Sequence, residues 1–342
     1  MSKVQASERG LPQMLVVIVN YRTGPLVVDC LQSLQDEVRA MPELRAIVVD
    51  NASGDLSSTI IELAIRERGW SDWAGLIDAP SNGGFAYGNN RAIELSFRWE
   101  NPPDLIWLLN PDTIVRPGAA RSMAEFMQSH DQVGIAGTSI ERENGVLWPF
   151  AFRFPTILSE VERGARLRLV SRALSSYSVF RQMTSQAEVV DWVSGASMVV
   201  RREVFEDIGL MDEAYFLYCE ETDFCLQARR SGWECWYVPQ ARVMHIAGQS
   251  TGVTGTQAVV RRLPRYWFES RRRYFVKNHG RLYAIVADIA WATMHVLWLA
   301  RKVAARQPNE DPPMLLGDFL RYSAIFSSAT DPADARSRAH IC

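Results

Sequence analysis

Residues 104–109 read DLIWLL, an apolar run that is followed directly by Asn110-Pro111-Asp112. A short, continuous apolar run favours a strand that is covered on both faces of its sheet. In an open α/β sheet, ligands bind beyond the carboxyl ends of the strands. We therefore expect Asp112 to lie where a ligand, or a metal ion on a ligand, binds. An Asp after Pro is about equally typical of a turn or a cap.

Three further segments repeat this pattern. LVVIVNYRT occupies 15–23, LRAIVVDNASGD occupies 44–55, and the Gly/Asn-rich SNGGFAYGNN occupies 81–90. With helix-like stretches between the strands, they predict a parallel sheet with helices on both faces. Because the carboxyl ends of such strands meet at one edge, the polar residues that follow them should meet there. These residues are Asn20, Tyr21, Asp50, Asn51, Asn110 and Asp112.

Composition excludes several classes of protein. A chain of 342 residues can bury a large core, and we expect one main domain with an appendage. The net charge of −2 argues against a nucleic-acid partner. Five cysteines without C-x-x-C spacing argue against a zinc site or a disulfide framework. The first fourteen residues contain no apolar signal-peptide core, so a cytoplasmic location is expected.

The motifs VNY (19–21), VDNASGD (49–55), NGGFAYGNN (82–90) and NPD (110–112) occur in this order. Together they resemble family 2 glycosyltransferases with a GT-A fold, and more narrowly the rhamnosyltransferase-like branch, in which NPD replaces D-x-D. Two later blocks, 193–233 and 243–251, are similar to the acceptor and catalytic segments of that family. The resemblance spans about Met14 to Arg281. It implies an α/β, Rossmann-like mixed sheet flanked by helices, with a C-terminal helical appendage.

The resemblance also implies a domain organisation. A catalytic domain at 14–260 would contain a nucleotide-sugar half, about 14–115, and an acceptor half, about 116–260. A basic, amphipathic helical region would follow at 261–328. We expect disorder at the termini, in residues 1–13 and 329–342.

Transfer from a sugar nucleotide develops negative charge on the departing diphosphate, and a divalent ion usually stabilises it. Mg²⁺ and Mn²⁺ prefer carboxylate oxygens, and Mn²⁺ also accepts imidazole. Asp112 supplies one ligand. The resemblance implies that His245 is the second ligand, whereas an isolated histidine after an apolar strand is more often a hydrogen-bonded core residue.

The resemblance places Asp50 on the N3–H of uracil or thymine, with Asn20 and Tyr21 near the base. Alternatively Asp50 caps the turn in DNASGD. Gly84 permits close backbone approach, and a helix that starts near Phe85 would point N–H groups towards phosphate or ribose. The other nucleotide contacts that the resemblance implies are Asn51, Asn82, Asn89 and Asn110, with Arg91 as a weaker candidate for the diphosphate.

Glu220, Glu221 and Asp223 lie at the start of a predicted helix, where negative charge also serves as a simple cap. The family pattern here is E-D-x-D and this chain has E-E-T-D. Glu221 occupies the position of the general base, and the choice between Glu220 and Glu221 stays open. One base that deprotonates the acceptor gives direct displacement and inverts the anomeric centre. Two carboxylates also fit a glycosidase, but the nucleotide-type strand edge and Asp112 argue against hydrolysis.

The sugar and acceptor pocket follows from the resemblance alone. It places Gly195 and Ala196 beside the acceptor, with Asp191, Trp192 and Asp223 as sugar contacts. Ordinary packing is an equally good explanation of these residues.

Residues 261–281 carry eight Lys and Arg with interleaved aromatic residues, and the largely apolar stretch 282–300 follows. Asp288 near its middle argues against a membrane-spanning helix. The pattern favours attachment to an anionic membrane surface, on the inner face of the cytoplasmic membrane. The alternatives are packing on the core, or a homodimer formed through these helices.

The expected function is therefore inverting, metal-dependent, non-processive transfer of L-rhamnose from dTDP-L-rhamnose. The acceptor would be a glycan or a polyprenyl-diphosphate-linked sugar in cell-surface polysaccharide synthesis. UDP-hexose or GDP-mannose transfer, or a chain-extending polymerase of the same fold, are alternatives, although Q-x-x-R-W is absent. A non-catalytic scaffold subunit is the alternative of another class.

Overall fold

The computed structural model describes residues 10–142, 144–148, 151–246 and 261–327. The disorder predicted for residues 1–9 and 329–342 lies outside these ranges. Gln13 is hydrogen-bonded to Asp104 and Leu105, so the predicted N-terminal disorder does not extend to it. The strands are β1 (Met14–Asn20), β2 (Arg45–Asp50), β3 (Ala74–Asp78), β4 (Leu105–Leu109), β5 (Thr113–Val115), β6 (Val133–Glu141), β7 (Leu147–Trp148), β8 (Ala151–Phe152), β9 (Phe180–Arg181), β10 (Glu188–Val190), β11 (Trp192–Val193), β12 (Ser197–Arg201) and β13 (Glu234–His245).

Helices cover both faces of the sheet and extend the chain beyond it. They are α1 (Gly24–Ala40), α2 (Ser57–Glu67), α3 (Phe85–Ser96), α4 (Ala119–Ser129), α5 (Ile157–Ala165), α6 (Arg168–Ala173), α7 (Arg202–Ile208), α8 (Glu220–Arg230), α9 (Arg265–His279), α10 (Arg281–Ala304) and α11 (Leu315–Arg321), with a 3-10 turn at Ser175–Tyr177. The predicted mixed α/β architecture is confirmed.

The main sheet has the strand order β10-β13-β6-β12-β4-β1-β2-β3, with β5 beside β13 and β7 beside β6. Strands β3, β2, β1 and β4 are parallel, whereas β12 runs antiparallel between β4 and β6. A smaller sheet has the order β11-β8-β9. The antiparallel insertion of β12 brings its first residues beside the carboxyl end of β4, so the two halves of the chain meet at one edge.

The sheet is buried on both faces, as its apolar sequence predicts. Every residue of β4 and β6 is buried. On one face the core contains side chains of α1, α2 and α4, and on the other those of α3, α7 and α8. The parallel register pairs Asn20 with Asp50, which places the polar strand ends together as expected.

The C-terminal helices are joined to the rest of the molecule by a buried ionic cluster. Arg271 of α9 lies 2.7 Å from Glu160 of α5 and 2.5 Å from Asp288 of α10. Burial opposes ionisation of Glu160, but attraction to Arg163 and Arg271 outweighs it and lowers its pKa. At Gly164 of α5, a Cβ atom would lie 2.6 Å from a backbone oxygen of α10, so the two helices pack closely.

This packing corrects the predicted role of the basic segment. Arg273 and Lys277 pair with Asp212, Lys277 also pairs with Asp223, and Arg271 is buried. The expectation that these residues present free positive charge to a membrane is wrong. Asp288 is buried inside the protein, in contact with Arg271. Within the described residues, α10 is long and apolar enough to cross a bilayer, and 33% of its apolar window is buried.

We predict that Arg271→Ala lowers the free energy of unfolding by about 3–5 kcal/mol, because Glu160 and Asp288 remain buried without their cation. Urea denaturation measures this change. Arg281→Ala, which removes an exposed arginine at the start of α10, should change stability by less than about 0.5 kcal/mol. Equal effects of the two substitutions would contradict a stabilising role for the cluster.

Candidate active site

Asp112 and His245 form the first corner of the site. Asp112 follows β4, and the antiparallel pairing of β13 with β5 places His245 opposite Thr113. The Oδ1 of Asp112 lies 3.1 Å from the Nε2 of His245. Both side chains are largely buried, and the Nδ2 of Asn110 is 3.4 Å from the same imidazole nitrogen. The structure therefore brings together both predicted metal ligands.

The donor set of this corner fits a divalent ion. Two adjacent ligands of an octahedral ion with bonds of 2.0–2.1 Å are separated by about 3 Å, close to the observed distance. A carboxylate with an imidazole suits Mn²⁺. No group of three His, Cys, Asp or Glu side chains with metal-binding spacing occurs among the described residues. Diphosphate oxygens and water would complete the coordination of an ion held here.

The strand ends of β1 and β2 form a second, polar corner. Asn20 donates from Nδ2 to Asp50 Oδ1 at 2.6 Å. Ser53 donates to Asp50 twice, from its backbone N and its hydroxyl, at 2.9 and 2.6 Å. Asp50 therefore caps its own turn, one of the two roles that the sequence allows. Its Oδ2 accepts only the Ser53 backbone bond among the described residues, so acceptor capacity remains on that atom.

Two residues that sequence reasoning missed complete this corner. Arg22 donates from Nε to the carbonyl of Ser53, and its guanidinium lies 5.0 Å from the half-buried ring of Tyr21. Thr23 donates to Asn20 Oδ1 from its hydroxyl and holds that amide towards Asp50. The signal was available, because Arg22 and Thr23 directly follow the Asn-Tyr pair.

The turn before α3 connects these corners to the catalytic segment. Gly84 has φ of 90°, and a Cβ atom there would lie 1.8 Å from the carbonyl oxygen of Phe216. The N–H of Phe85 donates to that same oxygen at 3.1 Å, so it is not available to a phosphate. Asn51 donates to Asn82 Oδ1 and to the carbonyl of Gly84. The glycine is therefore required for close contact between two backbones.

Two other donor-site candidates have structural partners. Asn89 is buried and donates to the carbonyl of Phe85 inside α3. Arg91 lies 2.7 Å from Glu213, which neutralises it, and stacks over Tyr87. The positive charge of Arg91 is therefore used within the protein.

The candidate bases lie at the N-terminus of α8. Tyr218 and Cys219, immediately before the helix, both have left-handed backbone conformations, with φ of 70° and 67°. Glu220 is buried and Glu221 is half-buried. The backbone N–H of Gly195 donates to the Glu221 carboxylate. Glu221 is therefore the better placed of the two carboxylates to meet a substrate.

Both carboxyl groups have raised pKa values. Burial raises the pKa of Glu220 well above its ordinary value, and the neighbouring charge of Glu221 raises it further. Burial also raises the pKa of Glu221, but backbone N–H donors, including that of Gly195, oppose this effect. We infer that Glu221 ionises before Glu220, since only Glu221 has a donor from another segment. The geometry favours Glu221 as the base.

The predicted acceptor residues separate into two groups. Gly195 contacts Glu221, and the carbonyl of Ala196 accepts the N–H of Asn110 at 3.0 Å. These two residues therefore link the base to the Asp112–His245 corner. A Cβ atom on Gly195 would lie 2.9 Å from the ring of Phe85, which leaves no room for a side chain.

The other three predicted sugar contacts have partners within the protein. Asp223 is buried, and its oxygens bind Lys277 and Asn278 of α9. Asp191 accepts from Arg229, near the C-terminal end of α8, and from the N–H of Phe154. Trp192 stacks on Phe152 at 4.1 Å and belongs to the core. These side chains hold α8 and the smaller sheet in place, and the structure does not direct them at the base.

A mixed, largely parallel sheet that is flanked by helices and gathers polar strand ends at one edge is the architecture of a GT-A glycosyltransferase. Two solved structures have the same fold. One is a mannosyltransferase from Pyrobaculum calidifontis in complex with GDP-Man and Mn²⁺, with a TM-score of 0.53 and 16% sequence identity. The alignment covers 93% of this chain and 82% of the mannosyltransferase chain. The other is GalNAc-T7 with UDP, GalNAc and Mn²⁺, with a TM-score of 0.55 and 13% sequence identity. The alignment covers 92% of this chain and 56% of the GalNAc-T7 chain.

The chain belongs to the family described as glycosyltransferase like family 2, whose model matches residues 12–269. It is similar to N-acetylglucosaminyl-diphospho-decaprenol L-rhamnosyltransferase of Mycobacterium tuberculosis, with 26% identity over 249 residues, 69% of this chain and 77% of the relative. It is also similar to the rhamnosyltransferase WbbL of Escherichia coli, with 26% identity over 224 residues, 64% of this chain and 79% of the relative. The chain is thus a glycosyltransferase, an enzyme of the hexosyltransferase type.

We predict that Glu220→Gln stabilises the protein at neutral pH. The pKa of Glu220 is higher in the folded state than in the unfolded state, so the folded protein holds the proton more tightly. The stability that this proton contributes is fully present below the unfolded-state pKa and is lost as the pH rises through the folded-state pKa. Glutamine is neutral at every pH, so the variant does not lose stability through the burial of a charge. Urea denaturation at about pH 5 and pH 8 should therefore give a stability gain that grows with pH.

The matched control is Glu67→Gln, because it makes the same chemical change at a glutamate whose side chain is exposed. It should give no pH-dependent gain. A gain for Glu220→Gln that does not vary with pH would contradict the raised pKa.

Proposed function

We propose that the enzyme is an inverting, metal-dependent, non-processive glycosyltransferase that moves L-rhamnose from dTDP-L-rhamnose to an acceptor hydroxyl. One observation carries the proposal. The Asp112–His245 corner is joined through Asn110 and the Gly195-Ala196 turn to Glu221, so an ion site and a base lie on one short path. This arrangement gives separate places to the departing diphosphate and to the attacking hydroxyl.

Each group has a defined role in this proposal. Asp112 Oδ1 and His245 Nε2 would hold Mg²⁺ or Mn²⁺, which neutralises the charge that develops on the leaving diphosphate. Glu221 accepts the proton of the acceptor hydroxyl. The acceptor oxygen forms a bond to the anomeric carbon as the bond from that carbon to the diphosphate oxygen breaks. A single displacement of this kind inverts the anomeric configuration.

The nucleotide would bind along the edge formed by β1 and β2. The Oδ2 of the buried Asp50 has acceptor capacity left for the N3–H of thymine or uracil, and Tyr21 offers a half-buried ring for the base. The Arg22 guanidinium beside Tyr21 adds positive charge near this edge. This pairing favours a pyrimidine nucleotide, and the relatives that are named rhamnosyltransferases favour dTDP-L-rhamnose over UDP-hexoses and GDP-mannose.

The acceptor in the proposal is a polyprenyl-diphosphate-linked sugar used in cell-surface polysaccharide synthesis. A relative carries such an acceptor, N-acetylglucosaminyl-diphospho-decaprenol, in its name. An acceptor of this type is confined to a membrane, and its diphosphate head group faces water. We therefore place the enzyme on the cytoplasmic face of the membrane.

With Mn²⁺ and dTDP-L-rhamnose, the purified protein should transfer one sugar to a short synthetic lipid diphosphate acceptor, and EDTA should abolish turnover. Asp112→Ala should lower kcat/KM by about 10²-fold or more, because it removes an ion ligand that stabilises leaving-group charge. Mass spectrometry and product anomeric configuration by NMR report the outcome.

UDP-glucose and GDP-mannose serve as competing donors in the same assay. Preferential turnover of either would refute the rhamnosyl donor and leave the metal site standing. Full activity of Asp112→Ala in EDTA would refute metal dependence. Addition of several sugars to one acceptor would show a chain-extending polymerase.

Glu221→Gln should lower kcat by about 10²-fold or more, the scale for losing general-base assistance. The donor Kd, measured by calorimetry with a non-transferable analogue, should stay the same, because the carboxylate acts on the acceptor. Glu220→Gln should lower kcat less. An inactive Glu220→Gln beside a normal Glu221→Gln would reverse the assignment of the base.

A further inference from the structure

The long helix α10 carries a largely apolar strip on its solvent side, interrupted by the exposed Thr293. Six aliphatic side chains on this strip are 42–77% exposed, and their positions along the helix place them within about a third of its circumference. We refer to them as the outer strip; its members are Leu282, Val286, Ile289, Val296, Leu297 and Val303.

The opposite face of α10 is fixed against the protein. Trp291 stacks on Phe319 of α11 at 3.9 Å, and His295 contacts Asp311 at 3.2 Å. Asp288 is buried in the Arg271 cluster and is the sole acidic residue of α10. The helix therefore cannot rotate to hide the outer strip, and its exposed side has no negative charge of its own.

Positive charge lies at both ends of the strip. Arg281 at the first position of α10 and Arg301 in its last turn are exposed, and neither has an ion pair within the described part of the chain. They differ in this respect from Arg265, Arg271 and Arg273 of α9, which form ion pairs within the protein. An apolar helix face that is flanked by free arginines fits the boundary between the head groups and the acyl chains of an anionic bilayer.

The dimensions favour a lipid surface over a second copy of the chain. From Leu282 to Val303 the strip is about 32 Å long at 1.5 Å per residue. It is one helix wide, and alone it offers less than the roughly 800 Å² per partner that a stable protein interface buries. A long and narrow apolar strip is the form expected of a helix that lies flat in a membrane interface.

We propose that the outer strip of α10 lies parallel to an anionic membrane surface and inserts its aliphatic side chains among the lipids. The biological purpose of this contact rests on the proposed lipid-linked acceptor, but its geometry does not. Because Asp288 is paired with Arg271 inside the protein, α10 binds the surface without crossing the bilayer. The contact uses the apolar stretch after the basic segment together with Arg281, and it does not use Arg271, Arg273 and Lys277, which form ion pairs inside the protein.

The docked helix is connected to the catalytic segment by α9. Ser270 of α9 donates to the carbonyl of Leu217 at 2.8 Å, and Lys277 binds Asp223 of α8 at 2.5 Å. Arg271 of the same helix binds Asp288 of α10. A membrane that holds α10 therefore fixes the orientation of Glu221 relative to the lipid surface.

Flotation of the full chain with vesicles of phosphatidylglycerol and phosphatidylethanolamine tests the proposal. The wild-type protein should float at low salt, and Ile289→Glu/Leu297→Glu should reduce the bound fraction by about tenfold or more, because charge replaces apolar groups at the lipid boundary. The matched control is Leu56→Glu/Leu63→Glu, which makes the same change at exposed leucines around α2. The control should float like the wild type.

A second variant separates charge from apolar contact. Arg281→Glu/Arg301→Glu should weaken flotation with these vesicles and leave the weaker binding to pure phosphatidylcholine nearly unchanged. Thermal unfolding should be unaltered in all variants, since every substituted side chain is exposed. This second pair keeps the test valid if one of the apolar substitutions fails to fold.

Several outcomes would overturn the proposal. The wild-type protein could fail to float, or the Leu56→Glu/Leu63→Glu control could lose as much vesicle binding as the α10 variant. Binding that resists alkaline carbonate would indicate an inserted helix. Sedimentation that shows a dimer, dissociated by Ile289→Glu/Leu297→Glu, would identify a second copy as the occupant.

Release of dTDP from dTDP-L-rhamnose is measured in parallel. Its absence with flotation intact would refute the proposed function alone.

Discussion

The site depends on the backbone contact between the start of β12 and the end of β4. There the carbonyl of Ala196 accepts the N–H of Asn110, and the N–H of the adjacent Gly195 donates to Glu221. The carbonyl of Ala196 and the N–H of Gly195 thus set the position of the Asp112–His245 corner relative to Glu221. Both groups lie in the short turn between β11 and β12, directly before the strand that pairs with β4, so their positions are fixed by the fold before any ligand binds. The lack of a side chain on Gly195 allows Phe85 to close the third side of this corner.

Much of this arrangement could be predicted from the sequence, because it follows from parallel strands. Asn20 and Asp50 meet since their strands are adjacent and in register, and Asp112 follows a strand that is apolar throughout. The position of His245 could not be derived in this way. It depends on an antiparallel pairing of β13 with β5 across more than a hundred residues, which no local pattern encodes. Only the resemblance of the ordered motifs connected His245 to Asp112.

The internal partners of several charged residues could not be predicted from the sequence. Asp223, Arg271 and Lys277 each carry a charge that sequence reasoning directed outward, to a sugar or to a membrane. In the structure each is neutralised by a partner that is remote in sequence, such as Glu160 for Arg271. A buried charge requires a partner, and a charged residue in a helix pattern gives no sign that it is buried. The same pairs explain why the C-terminal helices are part of the catalytic domain's structure and hold α8 in place.

The turn before α8 combines several costs at one place. Tyr218 and Cys219 have left-handed backbones that non-glycine residues seldom adopt, and two neighbouring carboxyl groups follow, the buried Glu220 and the half-buried Glu221. Each feature opposes folding, at about 1–3 kcal/mol for each strained residue. Contacts on three sides hold the turn: Phe85 binds the carbonyl of Phe216, Ser270 binds that of Leu217, and Lys277 anchors α8 through Asp223. This rigid setting keeps the pKa values of both carboxyl groups raised, because a relaxed turn would let water reach the carboxylates and restore their ordinary acidity. The ionic contacts of α9 therefore maintain the surroundings of Glu221 as well as the position of α8.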